Sequence, residues 1–181
     1  PKDILAIEPC QTYHESLKER GYQVYSFAND AAAKHCGKVD FAFSFSVIEH
    51  VNNPREFLAD IGKLLSSDGS LVVSTPNRSD VLMSLLADEY PHFFYSTVHR
   101  WYFYIDSFSQ CARYAGLEVV EAKCVHRFGL SNALAWLRDH RPTGNKQLPH
   151  LESVLLDDVW KRYLEEKGVG DYLYFTLKRA S

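Results

Sequence analysis

Four short apolar runs, at residues 4–7, 22–27, 39–45 and 70–74, alternate with stretches of helical periodicity through the first half of the chain. That alternation constrains the fold more than any other feature. Buried runs separated by amphipathic helices are the pattern of a parallel sheet with helices on both faces, an α/β doubly wound, Rossmann-like architecture. The best-marked helix lies between the third and fourth runs. Asn53 is placed to cap it, Pro54 suits its first turn, and Glu56 stands three residues after the cap. Phe57, Leu58, Ile61, Leu64 and Leu65 then share one face, and residues 67–69, Ser-Asp-Gly, are expected to end it. A helix over 11–20 should bury Tyr13 and Leu17 and stop at Gly21. Another over 106–116 should turn Phe108, Ala112 and Ala115 inward. Runs 117–125 and 172–177 read as late strands, antiparallel at one edge, with amphipathic helices near 131–138 and 152–167 between them. Residues 141–146 read as a surface turn.

Composition narrows the function. The 181 residues carry a net charge of −3, which disfavours a protein that grips nucleic acid or anionic lipid through a broad basic face. No run approaches the ~18 apolar residues of a membrane span, and the start has no signal-peptide layout, so a cytoplasmic location and a small-molecule partner are expected. Cys10, Cys36, Cys111 and Cys124 form no C-x-x-C pair and are expected to be reduced thiols.

In doubly wound sheets ligands sit at the carboxyl ends of the strands. The residues there are Glu8-Pro9, Ala28-Asn29-Asp30, the segment 46–50 and Thr75-Pro76-Asn77. A carboxylate at a strand end, as at Glu8, can accept two hydrogen bonds from the vicinal hydroxyls of a ribose, and the plain alternative is a solvated acid. Residues 90–104 hold eight of the chain's 25 aromatic side chains, together with His92, His99 and Arg100. Such a segment suits a lid or acceptor pocket, here taken as 77–105, or equally a hydrophobic plug or a contact with a second copy. His92 and His99 are seven apart with no third ligand in the segment, so no metal site is expected there.

Ala-Ile-Glu-Pro at 6–9, the run from Val39 to Pro54 with its Glu-His-Val, and Ser-Asp-Gly-Ser-Leu-Val-Val-Ser-Thr-Pro-Asn at 67–77 together resemble the class I S-adenosylmethionine-dependent methyltransferases of small molecules. The resemblance covers residues 3–77 and extends weakly to 115–118; residues 126–170 match nothing and read as a helical insertion. It implies S-adenosylmethionine as cofactor. Glu8 and Pro9 would hold the ribose and Asn29 or Asp30 the adenine amino group, while Phe45, Ser46 and Val47 would line the adenine and methionine ends. Glu49-His50-Val51 would lie beside the methyl group. His50 is then the natural base for a hydroxyl acceptor and His99 the second candidate; Arg100, Trp101 and Tyr102 would meet the acceptor. One departure stands out. The family's glycine-rich turn lies ~20 residues before the ribose acid, and Glu8 has only seven residues in front of it. An N-terminally truncated domain is expected, lacking the central first strand and inactive alone unless a partner chain fills the gap. Competing readings are a non-catalytic module that holds a partner through the aromatic segment and, less favoured by Glu-His-Val, an NAD-dependent oxidoreductase.

Overall fold

The computed structural model describes residues 3–142 and 148–180, so the turn expected at 141–146 lies outside the described residues from 143 onward. Strands β1 (Leu5–Ile7) and β2 (Gln23–Tyr25) pair in parallel with Leu5 opposite Gln23 and Ile7 opposite Tyr25. Strands β3 (Val39–Phe45), β4 (Leu65–Pro76), β5 (Leu117–Val125) and β6 (Tyr172–Arg179) form a four-stranded sheet in the order β3-β4-β6-β5. β3 and β4 are parallel, whereas β6 runs antiparallel to both neighbours. The late strands are therefore antiparallel as expected, with β6 inside the sheet and β5 at its edge. Among the described residues no strand joins β1 to β3, the place to which the resemblance assigns the family's first strand.

Helix α3 (Pro54–Leu64) forms where the cap pattern put it: the Asn53 side chain accepts from the Glu56 backbone N–H at 3.2 Å. Its apolar stripe buries Leu58, Ile61 and Leu64. The stop expected at 67–69 is instead the opening of β4, which begins at Leu65 rather than 70. A bulge there shifts the register between Val39 and Phe41. A Cβ on Gly69 would stand 2.6 Å from the Val39 carbonyl oxygen, so the close approach of the two backbones, not a helix stop, accounts for this glycine.

The helix expected over 11–20 divides into a 3₁₀ turn (Gln11–Tyr13) and α1 (His14–Glu19), closed by Gly21 at φ 85°. Tyr13 is 58% exposed, contrary to expectation, because it falls in the 3₁₀ turn before the helical face is established; Leu17 is half-buried. Helix α2 (Ala28–His35) went unforeseen, since Ala-Asn-Asp-Ala-Ala-Ala has almost no apolar period. Two short helices, α4 (Leu82–Leu85) and α5 (Tyr90–Phe94), occupy the segment after β4. α6 (Ile105–Tyr114), α7 (Leu130–Asp139) and α8 (Val154–Glu166) match the expected helices closely.

The core joins Ala28 and Ala31 of α2, the α3 stripe, and Phe108 and Ala112 of α6 to Leu71, Val73, Leu173, Phe175 and Leu177 of the sheet. At its centre Phe108 stacks on Phe175, ring centroids 3.8 Å apart and 7° from parallel. On β3, by contrast, Phe41, Phe43 and Phe45 are each more than half exposed. Phe108→Ala removes a fully buried ring at the α6–sheet contact and should cost about 3–5 kcal/mol. Urea denaturation measures this, and a loss below about 1 kcal/mol would show that α6 contributes little to the core.

Candidate active site

The carboxyl ends of β1 to β4 carry the residues singled out from the sequence. Glu8 follows β1, and three bonds hold it. Its N–H donates to Tyr25 O at 2.9 Å, its carbonyl accepts from the His14 ring at 2.7 Å, and its Oε1 accepts from the Cys10 N–H at 2.7 Å. The second carboxylate oxygen and the remaining lone pairs are left to accept from a ligand, which is the donor-poor, acceptor-rich chemistry that a ribose diol requires. Pro9 beside it is exposed. Of the alternatives at the end of β2, Asp30 turns its Oδ2 back to the Phe27 N–H at 3.1 Å and caps α2. Asn29, exposed in the same turn, makes no side-chain hydrogen bond with a described residue.

β3 ends in a turn. Ser46 has φ 53°, the left-handed region, so the chain leaves the strand sharply while its N–H still bonds Ser74 O at 3.1 Å. Its hydroxyl bonds the Tyr172 hydroxyl on β6. Val47 and Phe45 are exposed on this rim, and Ile48 and Glu49 turn inward and are buried.

The aromatic segment is fastened to that turn. Glu49 O accepts from the N–H groups of Arg100 (2.7 Å) and Trp101 (3.2 Å), and the Trp101 indole donates to Val51 O at 2.9 Å. His50 Nδ1 donates to Val98 O at 3.0 Å; since a carbonyl only accepts, the neutral ring is the tautomer with its proton on Nδ1 and its lone pair on Nε2. His99 packs edge-on against His50 with centroids 4.7 Å apart. Burial, then the neighbouring His50, lowers the His99 pKa, while burial raises that of Glu49. The structure thus brings Glu49, His50 and His99 together. His92 sits apart on exposed α5. Tyr102 has its hydroxyl occupied, accepting from Ser96 N and donating to Phe94 O, whereas Arg100 reaches into solvent.

This arrangement, with β6 antiparallel between β4 and β5 and acceptor groups at the carboxyl ends of β1 and β3, is that of a Rossmann-like α/β domain. The family model for a methyltransferase domain matches residues 2–122, and the chain belongs to that family. S-Adenosylmethionine is the cofactor of the class it resembles. A ubiquinone biosynthesis O-methyltransferase of Caulobacter sp. (strain K31) is 38% identical over 61 residues, 34% of this chain and 24% of the relative, so the chain spans about a quarter of that protein's length. Three solved structures share the fold. A SAM-dependent methyltransferase of Thermotoga maritima is 22% identical with a TM-score of 0.59, covering 98% of this chain and 73% of that one. The methyltransferase in complex with the Haloferax volcanii Trm112 activator is 10% identical with a TM-score of 0.60, covering 98% and 72%. The Burkholderia thailandensis 1,6-didemethyltoxoflavin-N1-methyltransferase, holding its substrate and S-adenosylhomocysteine, is 13% identical with a TM-score of 0.50, covering 98% and 61%.

Sequence reasoning missed the other anchor of the aromatic segment. Asp80, three residues after Asn77 at the end of β4, is buried; its Oδ1 accepts from Leu82 N at 2.9 Å and its Oδ2 from the Tyr90 hydroxyl at 2.8 Å. Asp80, Tyr90, His126 and Trp136 line a cavity of about 260 Å³ behind the segment. Burial raises the Asp80 pKa from 3.8 to about 6; the bonds from Leu82 and Tyr90 and the charge of Arg127 oppose this, and Asp171 adds to it. The folded protein therefore holds a proton between pH 3.8 and about 6 that the unfolded chain has lost. Stability contributed by protonated Asp80 is present below that window and is lost as pH rises through it, by at most about 3 kcal/mol. Asp80→Asn should flatten this part of the stability profile, measured by urea denaturation from pH 4 to 7; an unchanged profile would assign the slope to another group.

Proposed function

We propose that the protein transfers a methyl group from S-adenosylmethionine to a hydroxyl of a small metabolite. The observation that carries this reading is Glu8, fixed at the end of β1 with one oxygen on the Cys10 N–H and acceptor capacity left over. Glu8 and Pro9 would take the ribose, Asn29 the adenine amino group with Asp30 shaping its turn, and Phe45, Ser46 and Val47 the length of the cofactor. When bound, the sulfonium supplies an electrophilic methyl for in-line displacement, which needs little acid chemistry at the donor. The chain's own task is to align the acceptor, exclude water and accept a proton. The lone pair on His50 Nε2 faces that task, with His99 as the neighbouring alternative. Arg100, Trp101 and Tyr102 form the wall against which a small acceptor would lie. The name of the Caulobacter relative, an O-methyltransferase, favours oxygen as the methylated atom.

Calorimetric titration with S-adenosylhomocysteine and, separately, with NAD tests the reading. Binding of the first and not the second is expected. Glu8→Ala should weaken it by about tenfold or more, the cost of losing charge-assisted bonds to two hydroxyls, with the unfolding transition unchanged. Wild-type protein that ignores S-adenosylhomocysteine would leave the non-catalytic module as the working account, whereas a Glu8→Ala variant that binds it equally well would remove Glu8 from the ribose site.

A further inference from the structure

We propose that Glu49, His50 and His99 form a site for one divalent transition-metal ion of the zinc type. Each side chain offers one ligand atom, and these atoms all lie within 4.8 Å of one another. A tetrahedral ion with bonds of ~2.0–2.2 Å draws its ligand atoms to roughly 3.3 Å apart, a contraction within reach of small side-chain rotations. Two imidazoles and one carboxylate are a nitrogen-rich set that suits zinc, iron, cobalt or manganese better than calcium or magnesium. Three protein ligands also leave a coordination position open, as in catalytic rather than structural sites.

Edge-on packing of two histidine rings is the plain alternative, and two observations weigh against it. Glu49 is 1% exposed, and its Oε2 is buried with no hydrogen-bond partner. A buried carboxylate oxygen left bare is costly, and a bound cation offsets that cost directly. His99 Nδ1 is likewise buried without a partner. Packing alone leaves His99 Nδ1 unpaired and gives the Glu49 carboxylate only the Thr75 hydroxyl and its own backbone N–H nearby, neither in hydrogen-bond geometry with Oε2. His50 already shows the support that metal-ligating histidines usually have: Nδ1–H is held by a backbone carbonyl, that of Val98, which in the neutral ring leaves Nε2 as the ligand atom. The N–H groups of Arg100 and Trp101 clamp Glu49 O, which keeps the loop bearing His99 over the Glu49–His50 turn. No spacing within 90–104 shows this site, because the ligands that join His99 lie 49 and 50 residues away in sequence.

That the ion binds is independent of the methyl-transfer reading; what it does rests on that reading. With the ion bound, the His50 and His99 lone pairs are taken up as ligands and no longer serve as the base; at its open position the ion would bind the acceptor hydroxyl and lower its pKa, so that the proton passes to water instead. The freed oxygen pair then forms the O–C bond as the C–S bond breaks, and the sulfur keeps its electrons as S-adenosylhomocysteine.

Chelator-treated, dialysed protein should take up one Zn²⁺ per chain in equilibrium dialysis, and Co²⁺ should give the intense visible absorption of a four-coordinate site. Glu49→Gln and His99→Gln should each weaken Zn²⁺ binding by at least about tenfold to a hundredfold, and His92→Gln should leave it unchanged. Should burial make Glu49→Gln fold poorly, His99→Gln at a half-buried position carries the test. Uptake below one ion per chain, or uptake that neither variant weakens, overturns the site. S-Adenosylhomocysteine titrations on the same samples separate the two ideas: metal binding without nucleoside binding sinks the methyl-transfer reading alone, and the reverse sinks the metal site alone.

Discussion

Strand β6 bonds β4 on one side and β5 on the other while running against both, and the edge of the sheet that carries the candidate site depends on that reversal. An antiparallel strand delivers its beginning to the place where its neighbour ends. Pro76 therefore lies opposite Tyr172, and the residues that lead into β6 reach the carboxyl edge of β4. Tyr172 meets Ser46 there, and Asp171 binds Arg127 at 2.6 Å while Arg127 lies over the Tyr172 ring at 4.1 Å. Without this reversal Ser46 would lose the Tyr172 hydroxyl, the partner that β6 gives to the turn after β3.

Polar satisfaction divides this edge into two regions. Around Asn77 and Asp171 the polar side chains are paired, and only Trp160 Nε1, its ring edge-on to His126, is buried there without a partner among the described residues. Asn77 donates to Gly168 O (3.0 Å) and Gly170 O (2.7 Å) and accepts from Ser79 N, and buried His126 accepts from Asp171 N through Nδ1. That bond and burial both favour neutral His126. At the ends of β3 and β4 facing the aromatic segment, Ser44 Oγ, Thr75 Oγ1, Glu49 Oε2 and His99 Nδ1 are buried and unpaired. Networks stiffen a framework, whereas unpaired atoms concentrate where a ligand is to complete them.

Much of the framework was legible in the residues. Val39–Phe45 and Leu117–Val125 could be bounded from their apolar runs, and α3 from its cap, because burial and capping act over a few neighbouring positions. Helix α2 was not, because Ala28 and Ala31 pack by being small rather than by forming an apolar stripe. Glu8, His50 and His99 were legible as single residues. Their grouping was not, since it depends on backbone bonds between 49–51 and 98–101 that no local pattern encodes. Nothing in the sequence singles out Asp80, because its role depends on the Tyr90 hydroxyl ten residues away and on burial that no local pattern encodes.

The aromatic segment is tied down at both ends, by Asp80 holding Tyr90 and by the bonds between residues 49–51 and 98–101. A cover held this way is a fixed wall rather than a flap. To swing it aside, several hydrogen bonds worth about 1 kcal/mol each would have to break together. The ring surfaces of this segment are therefore held in one arrangement against the turn after β3.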